Sequence, residues 1–342
     1  MNQQTEVKTS LEAVPLRTIA ERLQTAVSTC ILGKDQVIRE LIAAVLAGGH
    51  VLLEDLPGTG KTTLAKALAK AVDSDFRRIQ FTPDLLPSEL TGVNFFNQKT
   101  QSFEFRPGAL FTNILLGDEI NRATPRTQSS LLECMEERQV TVDGVSYTLN
   151  APFLVVATQN PVEIQGTFPL PEAQMDRFLM RLSLGYPDTD AETDMLQTYR
   201  HAQPIDSLEP VMTGSDLVAA IARVRDIPVS SAIQEYIVSL TSATRTHPKV
   251  RLGISPRGSL ALMRAAQAFA AIDGEDVVLP DHVQQATVPV LAHRILLRGT
   301  EVAQQKDEVV KVIQEIIDST VVPTELTENG AASSQADLDS RR

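Results

Sequence analysis

The feature that most constrains this chain is residues 51–63, VLLEDLPGTGKTT. An apolar run at 51–53 predicts a buried strand, and a helical spacing of apolar residues begins at Leu64. Between them lies a Pro-Gly-Thr-Gly loop followed by Lys-Thr. This order is typical of a phosphate-binding loop, because small residues let backbone N–H groups surround a phosphate at the positive end of a helix. A plain surface turn is the alternative, and the Gly-Lys-Thr that opens the helix argues against it.

The predicted loop gives its polar residues distinct roles. We expect Lys61 to reach the β- and γ-phosphates of a nucleotide, and the Thr62 hydroxyl to hold Mg²⁺. The full set of predicted contacts in the loop is Pro57, Gly58, Thr59, Gly60, Lys61, Thr62 and Thr63.

The loop departs from the usual pattern at one position. The pattern begins with a glycine five residues before Gly60, and this chain has Asp55 there. A carboxylate so near a polyphosphate should repel it unless it points away or pairs with a base. Lys34 and Arg257 are candidate partners, and we expect Asp55 to affect nucleotide affinity more than activity.

An acidic pair follows the next apolar run. Residues 114–116 predict a short buried strand, and Gly117, Asp118 and Glu119 come directly after it. Downstream of a phosphate-binding loop, the Asp118 carboxylate is expected to hold the Mg²⁺ shell and Glu119 to act as general base on a water. An isolated acidic pair at a strand end is usually only a solvated surface feature, so the position after the loop carries the prediction.

Three further segments complete the first half of the chain. Residues 153–157 predict a buried strand whose end carries Asn160, either facing the γ-phosphate or simply forming a turn before Pro161. Residues 93–105 predict a hairpin, and residues 139–149 predict another around Asp143-Gly144, a strong hairpin turn signal.

These segments define a fold class and its boundaries. Strands and helices alternate up to Tyr186-Pro187, and helical patterns follow. We therefore predict an α/β domain with a parallel sheet and an all-α domain behind it. The predicted divisions are a flexible N-terminus at 1–13, an α/β core at 14–186, an all-α domain at 187–320 and a disordered tail at 321–342.

Charge, cysteine and histidine content argue against a nucleic-acid coat protein, a disulfide-stabilised fold and a structural metal site. The net charge of −12 argues against a protein that coats nucleic acid. The two cysteines give no disulfide framework, and the five histidines are scattered without the spacing of metal ligands. With no secretory leader and no apolar window long enough for a bilayer, we expect a cytoplasmic protein.

Four blocks together resemble the MoxR family of AAA+ ATPases. They are GTGKT, LLGDEINRATPRTQSSLLECMEERQVTVDG, VVATQNPVEIQGTFPLPEAQMDRF and GISPRG. The resemblance extends from about residue 16 to residue 317. It implies a P-loop NTPase core with two inserted hairpins, the first at 93–105 and the second at 139–149, followed by an all-α lid. In related ring proteins these hairpins face a central pore.

The resemblance also assigns residues. Asp118 and Glu119 match the Walker B pair, and Asn160 matches sensor 1, which positions the attacking water. Arg177 matches an arginine finger that acts on nucleotide bound by the neighbouring subunit. The sequence leaves open a pairing of Arg177 with Asp176 or another nearby acid.

Further assignments lie outside these central blocks. Arg181 is a weaker rival for the finger role. Arg257 matches sensor 2 at the start of a lid helix, unless it is a solvated helix-start arginine. Asn121 and Arg122, just past the Walker B pair, are candidate interface residues. The segment that cradles adenine is matched by Ile31, Leu32 and Gly33.

The implied function is Mg²⁺-dependent ATP hydrolysis by a homo-oligomeric ring, a hexamer by family resemblance, that remodels or matures protein complexes. Implied partners include a von Willebrand factor A domain protein, and an implied role is metal-cofactor insertion. A nucleic-acid motor is an alternative, but Lys99 is the first hairpin's only basic residue before Arg106, and such a pore should be basic. A nucleotide-gated scaffold with little turnover is a third hypothesis, and Glu119 and Arg177 argue against it.

Overall fold

The computed structural model of the protein describes residues 14–161, 166–200, 203–299 and 305–323. The predicted flexible N-terminus at 1–13 lies outside these ranges, and so does the predicted disordered tail except for residues 321–323. The chain forms two compact units that divide after Arg225. The predicted boundary at 186/187 lies earlier, and residues 187–225 belong to the first unit because they bond to its core. Lys70, for example, donates to the Ile205 carbonyl at 2.8 Å.

A five-stranded parallel sheet in the order β2-β5-β8-β1-β9 forms the centre of the first unit. The apolar runs at 51, 114 and 153 become its three inner strands, which explains why these runs do not alternate. The strands are β1 Val51–Glu54, β2 Phe76–Gln80, β5 Ile114–Asp118, β8 Leu154–Gln159 and β9 Met180–Leu182.

Two antiparallel hairpins extend from this unit, as predicted. Hairpin one pairs β3 Gly92–Asn97 with β4 Ser102–Pro107, and hairpin two pairs β6 Gln139–Val142 with β7 Val145–Thr148. The turn of hairpin two has positive φ at both Asp143 and Gly144, the geometry that matches the twist of paired strands.

Helices cover the sheet of the first unit. Their amphipathic spacing buries residues such as Leu23 and Leu41 completely. They are α1 Leu16–Ser28, α2 Asp35–Leu46, α3 Lys61–Ala71, α4 Pro87–Thr91, α5 Pro125–Glu137, α6 Glu172–Met175, α7 Thr189–Tyr199, α8 Pro204–Ser207 and α9 Gly214–Arg225.

A histidine connects helix and sheet inside the core. The imidazole of His50 is buried, its Nδ1 accepts a hydrogen bond from the Val155 N–H at 3.0 Å, and its Nε2 donates to the Met135 carbonyl at 2.9 Å. Because burial disfavours the charged ring, the pKa of His50 falls to about 4. His50 is therefore a neutral structural link between α5 and β8.

The second unit is mainly helical, in agreement with the predicted helical lid. Its helices are α10 Ser231–Thr246, α11 Pro256–Asp273, α12 Pro280–Leu291 and α13 Gln305–Ser319. It also contains a small antiparallel ribbon, β10 Val250–Leu252 with β11 Leu296–Leu297. The prediction of helix throughout missed this ribbon, since runs of two and three residues are too short to show a period of two.

Strand β9 was also not predicted, because three residues at a sheet edge carry no periodic signal. Helix α5 starts at Pro125, since Pro is well suited to the first helical position. Across the described ranges, no helix is both long and apolar enough to cross a membrane.

Candidate active site

The carboxyl ends of β1, β5 and β8 meet at one edge of the sheet. β8 lies between the other two, so the phosphate-binding loop, the Asp118–Glu119 pair and Asn160 leave the sheet side by side. In parallel α/β sheets this edge is where ligands bind. The strand order thus brings together the residues that the sequence separates by about a hundred positions.

The loop after β1 has the backbone geometry of an anion-binding turn. Gly58 and Gly60 have φ of 84° and 92°, a region that favours glycine, and α3 begins at the next residue, Lys61. A side chain on Gly58 would meet no atom within 4 Å, so the backbone angle rather than crowding requires glycine there. Thr59 donates to the Leu56 carbonyl at 3.2 Å and steadies the turn. Thr62 and Thr63 lie in the first turn of α3.

The Lys61 ammonium folds back over its own loop. It donates to the carbonyl oxygens of Asp55 and Leu56 at 2.8 and 2.9 Å. Burial lowers the pKa of Lys61, and three carboxylates oppose this effect, in the order Asp55, Asp118 and Glu119. Lys61 therefore lies close enough to the acidic pair to interact with it electrostatically.

Asp118 is buried with both carboxylate oxygens bonded. Its Oδ2 accepts from the Arg78 Nε at 2.7 Å, and its Oδ1 accepts from the Thr158 hydroxyl at 2.9 Å. Arg78 lies on edge strand β2 and Thr158 lies on β8, so both strands beside β5 hold the carboxylate. Its position is fixed before any ligand arrives.

Glu119 adopts a left-handed backbone conformation, with φ 56° and ψ 51°. Its N–H donates to the Thr158 hydroxyl at 2.9 Å, and its Oε2 accepts from Gln80 at 2.8 Å and Arg122 at 2.9 Å. Left-handed backbone costs a residue other than glycine roughly 1–3 kcal/mol, and such residues cluster at functional sites. One hydroxyl, that of Thr158, therefore aligns both acids.

The Asp55 carboxylate is bonded to the segment that follows β9. Asp55 is 5% exposed, and its Oδ1 accepts from the Ser183 hydroxyl at 2.8 Å and the Gly185 N–H at 3.0 Å. Its Oδ2 accepts from the Leu184 N–H at 2.6 Å. The expected pairing with Lys34 is wrong, because Lys34 donates to the Tyr186 carbonyl instead, at 2.6 Å.

The predicted adenine segment lies next to the loop. Ile31 is buried, and its Cδ1 would be 3.5 Å from a Cβ placed on Gly60. Leu32 is half-buried. Gly33 has φ of 68°, and a Cβ there would come within 2.6 Å of the Ala191 Cβ. The segment therefore runs between the phosphate loop and α7.

The candidate arginines occupy different settings. Arg177 pairs with Glu136 at 3.3 Å and is 29% exposed, so its partner is an acid other than Asp176. Arg181 pairs with Glu54 at 3.3 Å, and both side chains are at most 15% exposed. Arg181 is therefore less accessible than Arg177 in this chain. In the second unit, Arg257 is the second residue of α11.

Sequence reasoning missed four residues that hold the acids. They are Arg78, Gln80, Arg122 and Thr158. The first two alternate on β2, but only the sheet order, which sets β2 beside β5, connects them to the acidic pair. Arg122 was noted as an interface candidate, whereas its guanidinium lies on Glu119 of the same chain.

Comparison with known proteins agrees with this geometry. Residues 50–180 match a protein-family model described as "ATPase family associated with various cellular activities (AAA)", and residues 242–316 match the AAA lid domain. Chaperone MoxR1 of Mycobacterium tuberculosis is 36% identical over 312 residues, which is 89% of this chain and 82% of the relative. The chain belongs to the MoxR family of AAA+ ATPases. Protein MoxR of Methylorubrum extorquens is 31% identical and covers 90% of the chain and 96% of that protein.

Two further comparisons extend the assignment. The uncharacterized protein YeaC of Bacillus subtilis is 49% identical over 87% of this chain and 93% of the relative. The solved structure of a candidate ATPase from Cytophaga hutchinsonii has a TM-score of 0.82, with 35% identity over 90% of this chain and 96% of that one. As a MoxR family member the chain is an ATPase, and its fold is the expected α/β core with a helical lid.

Proposed function

We propose that this ATPase works as a homo-oligomeric ring, a hexamer, that uses Mg²⁺ and ATP to remodel a protein client. The observation that carries the client class is the exposed aromatic tip of hairpin one. Chaperone MoxR1 is named as a chaperone, which supports this class. A von Willebrand factor A domain partner and metal-cofactor insertion stay predictions from the family resemblance.

The residues at the sheet edge fit a magnesium nucleotide. Thr62 offers a hydroxyl and Asp118 a carboxylate, both hard oxygen donors of the type Mg²⁺ prefers. When bound, Mg²⁺ would neutralise charge on the β- and γ-phosphates. Lys61 donates to two carbonyl oxygens of its own loop, and we infer that it exchanges these for phosphate oxygens.

We assign proton removal to Glu119, whose carboxylate carries donors from Gln80 and Arg122 on a single oxygen. A general base contributes typically 10²- to 10⁴-fold to a rate. Asn160 follows β8 directly and is assigned to the attacking water. By the family resemblance to sensor 2, Arg257 in the first turn of α11 is assigned to the γ-phosphate.

The ring proposal depends on Arg177. This guanidinium is part exposed, and an ion pair of this kind contributes at most about 1 kcal/mol. Replacing Glu136 by a partner in another chain would therefore cost little free energy. An arginine finger is worth roughly 10³- to 10⁵-fold in rate. Activity should then depend on assembly.

The client proposal depends on the tip of hairpin one. Phe96 and Phe103 face each other across the strands with ring centroids 5.4 Å apart, and they are 52% and 73% exposed. Phe95 is 42% exposed on the other face. Large exposed apolar groups mark interaction sites, and a surface with so little positive charge suits polypeptide better than nucleic acid.

A mixing experiment tests the shared site. Arg177→Ala subunits keep a complete phosphate loop, whereas Lys61→Ala subunits keep the arginine. Each variant alone should show little ATP hydrolysis, and their mixture should exceed the sum of the two because some sites combine intact halves. Rates of phosphate release that simply add would contradict an arginine acting between subunits.

Glu136→Gln is the matched control for Arg177. It removes the intrachain partner and leaves the arginine in place. If Arg177 serves only the ion pair, both substitutions should have the same effect on ATPase rate. If Arg177 serves a neighbouring subunit, Glu136→Gln should retain most of the rate.

The client class is tested by stimulation of ATP hydrolysis. An unfolded, carboxymethylated polypeptide should raise the rate, and single-stranded DNA should not. Combined Phe96→Ala and Phe103→Ala should remove the stimulation without lowering the basal rate, whereas Leu196→Ala, exposed on α7, should leave it intact. Stimulation by DNA instead would favour the nucleic-acid motor.

A further inference from the structure

Asp55 joins the phosphate loop to the segment that follows β9. This carboxylate stands where phosphate loops usually have glycine, and it accepts three hydrogen bonds from residues 183–185. Two of the donors are backbone N–H groups, which cannot turn away to other partners. Asp55 therefore fixes the path of the chain as it leaves the sheet.

The same segment is bonded to the predicted adenine segment. Lys34 donates to the Tyr186 carbonyl at 2.6 Å, directly after Ile31-Leu32-Gly33. One residue beyond Pro187, the Asp188 carboxylate caps α7 by accepting from the Ala191 N–H at 2.8 Å. Residue 186 is thus held between two fixed points.

The Tyr186 ring is left 70% exposed by this arrangement. A large exposed ring, whose backbone lies beside both segments expected to contact nucleotide, is suited to stack on a flat ligand. We propose that Tyr186 packs against the base of the nucleotide and that Asp55 is the positioning residue that holds it there. The proposal rests on nucleotide binding at this loop.

Fluorescence offers a direct test, because the chain contains no tryptophan. Tyr186→Trp introduces a single reporter, and ATP should change its emission, while inorganic tripolyphosphate, which has no base, should change it little. Equal responses to the two ligands, or no response to ATP when equilibrium dialysis shows that ATP is bound, would overturn the role of Tyr186. Absence of ATP binding by the native chain would instead overturn the proposed nucleotide site.

Measurements of ATP affinity distinguish the contribution of the Tyr186 ring from that of its backbone. By equilibrium dialysis, Tyr186→Phe should bind ATP as the native chain does, and Tyr186→Ala should bind about tenfold more weakly, the range of base–aromatic stacking. Tripolyphosphate should compete equally well in all three proteins. Unchanged ATP affinity in Tyr186→Ala would refute the stacking.

The Asp55 role has a sharper test, since Asp55→Gly restores the usual pattern. If Asp55 is merely tolerated, Asp55→Gly should bind ATP as well as the native chain or better. We expect weaker ATP binding with tripolyphosphate binding retained, and Asp55→Asn should lie between because its amide can still accept from one or two of the donors. Equal loss for both ligands would show damage to the phosphate loop and refute the positioning role.

Discussion

The buried imidazole of His50 makes the stability of the first unit depend on pH. The ring is neutral in the folded chain, with a pKa of about 4, against 6.5 for an unperturbed histidine. The unfolded chain therefore binds a proton first as the pH falls. The stabilisation is fully present above pH 6.5 and is lost as the pH falls toward 4.

The size of this effect follows from the two values. A difference of one pKa unit corresponds to about 1.4 kcal/mol, so the free energy of unfolding should fall by about 2 kcal/mol between pH 7 and 5, and by about 3 kcal/mol at pH 4. Because His50 is buried, solvent screening reduces the figure little. The loss would be a large share of the stability of an ordinary domain.

The free energy of unfolding can be measured at several pH values by urea titration, with circular dichroism as the signal. His50→Gln cannot titrate, so the native chain minus the variant isolates this residue from every other group. The difference should shrink as the pH is lowered from 7 to 4. A difference that stays constant across this range would refute a neutral, buried His50.

Other outcomes follow from the same structure. Glu119→Gln should bind ATP normally but release phosphate about 10²- to 10⁴-fold more slowly, and an equal loss of binding would contradict its role as base. Cys134 is buried with its pKa raised to about 12, so iodoacetamide at pH 8 should leave it unmodified until urea is added; fast labelling of that thiol in the native chain would contradict the buried position. Gly60→Ala should weaken ATP binding and destabilise the chain by about 1–2 kcal/mol, the cost of a left-handed residue with a side chain, and unchanged thermal unfolding would contradict the turn geometry.

The sequence predicted much of the architecture because its signals are local. The loop at 55–63, the Asp143-Gly144 turn and the inner strands each carry their pattern within a few residues, and all three are confirmed. Strand β9 and the ribbon of the second unit were missed because two- and three-residue strands depend on their neighbours in space. Neither the amino-acid composition nor the hydrophobic periodicity predicts the pairing of such short strands.

In the candidate active site, too, the residues with a local sequence signal were predicted, and those whose contacts depend on the fold were not. Position along the chain was enough to nominate Asp118 and Glu119, but not to find Arg78 or Gln80, whose contact with them depends on β2 lying beside β5. The predicted pairing of Asp55 with Lys34 is wrong, because the donors to this carboxylate are a hydroxyl and two backbone N–H groups rather than a cation. Backbone N–H groups satisfy a carboxylate equally well and leave no mark in a sequence.

The two hairpins are in direct contact. The rings of Phe105 and Tyr147 stack with their centroids 4.0 Å apart, and the Asn94 side chain donates a hydrogen bond to the Asp143 carboxylate at 2.8 Å. Hairpin one follows β2 through α4, and hairpin two continues into β8. These strands flank β5 on opposite sides. We therefore expect a force on either tip to reach both neighbours of the strand that ends in the acidic pair.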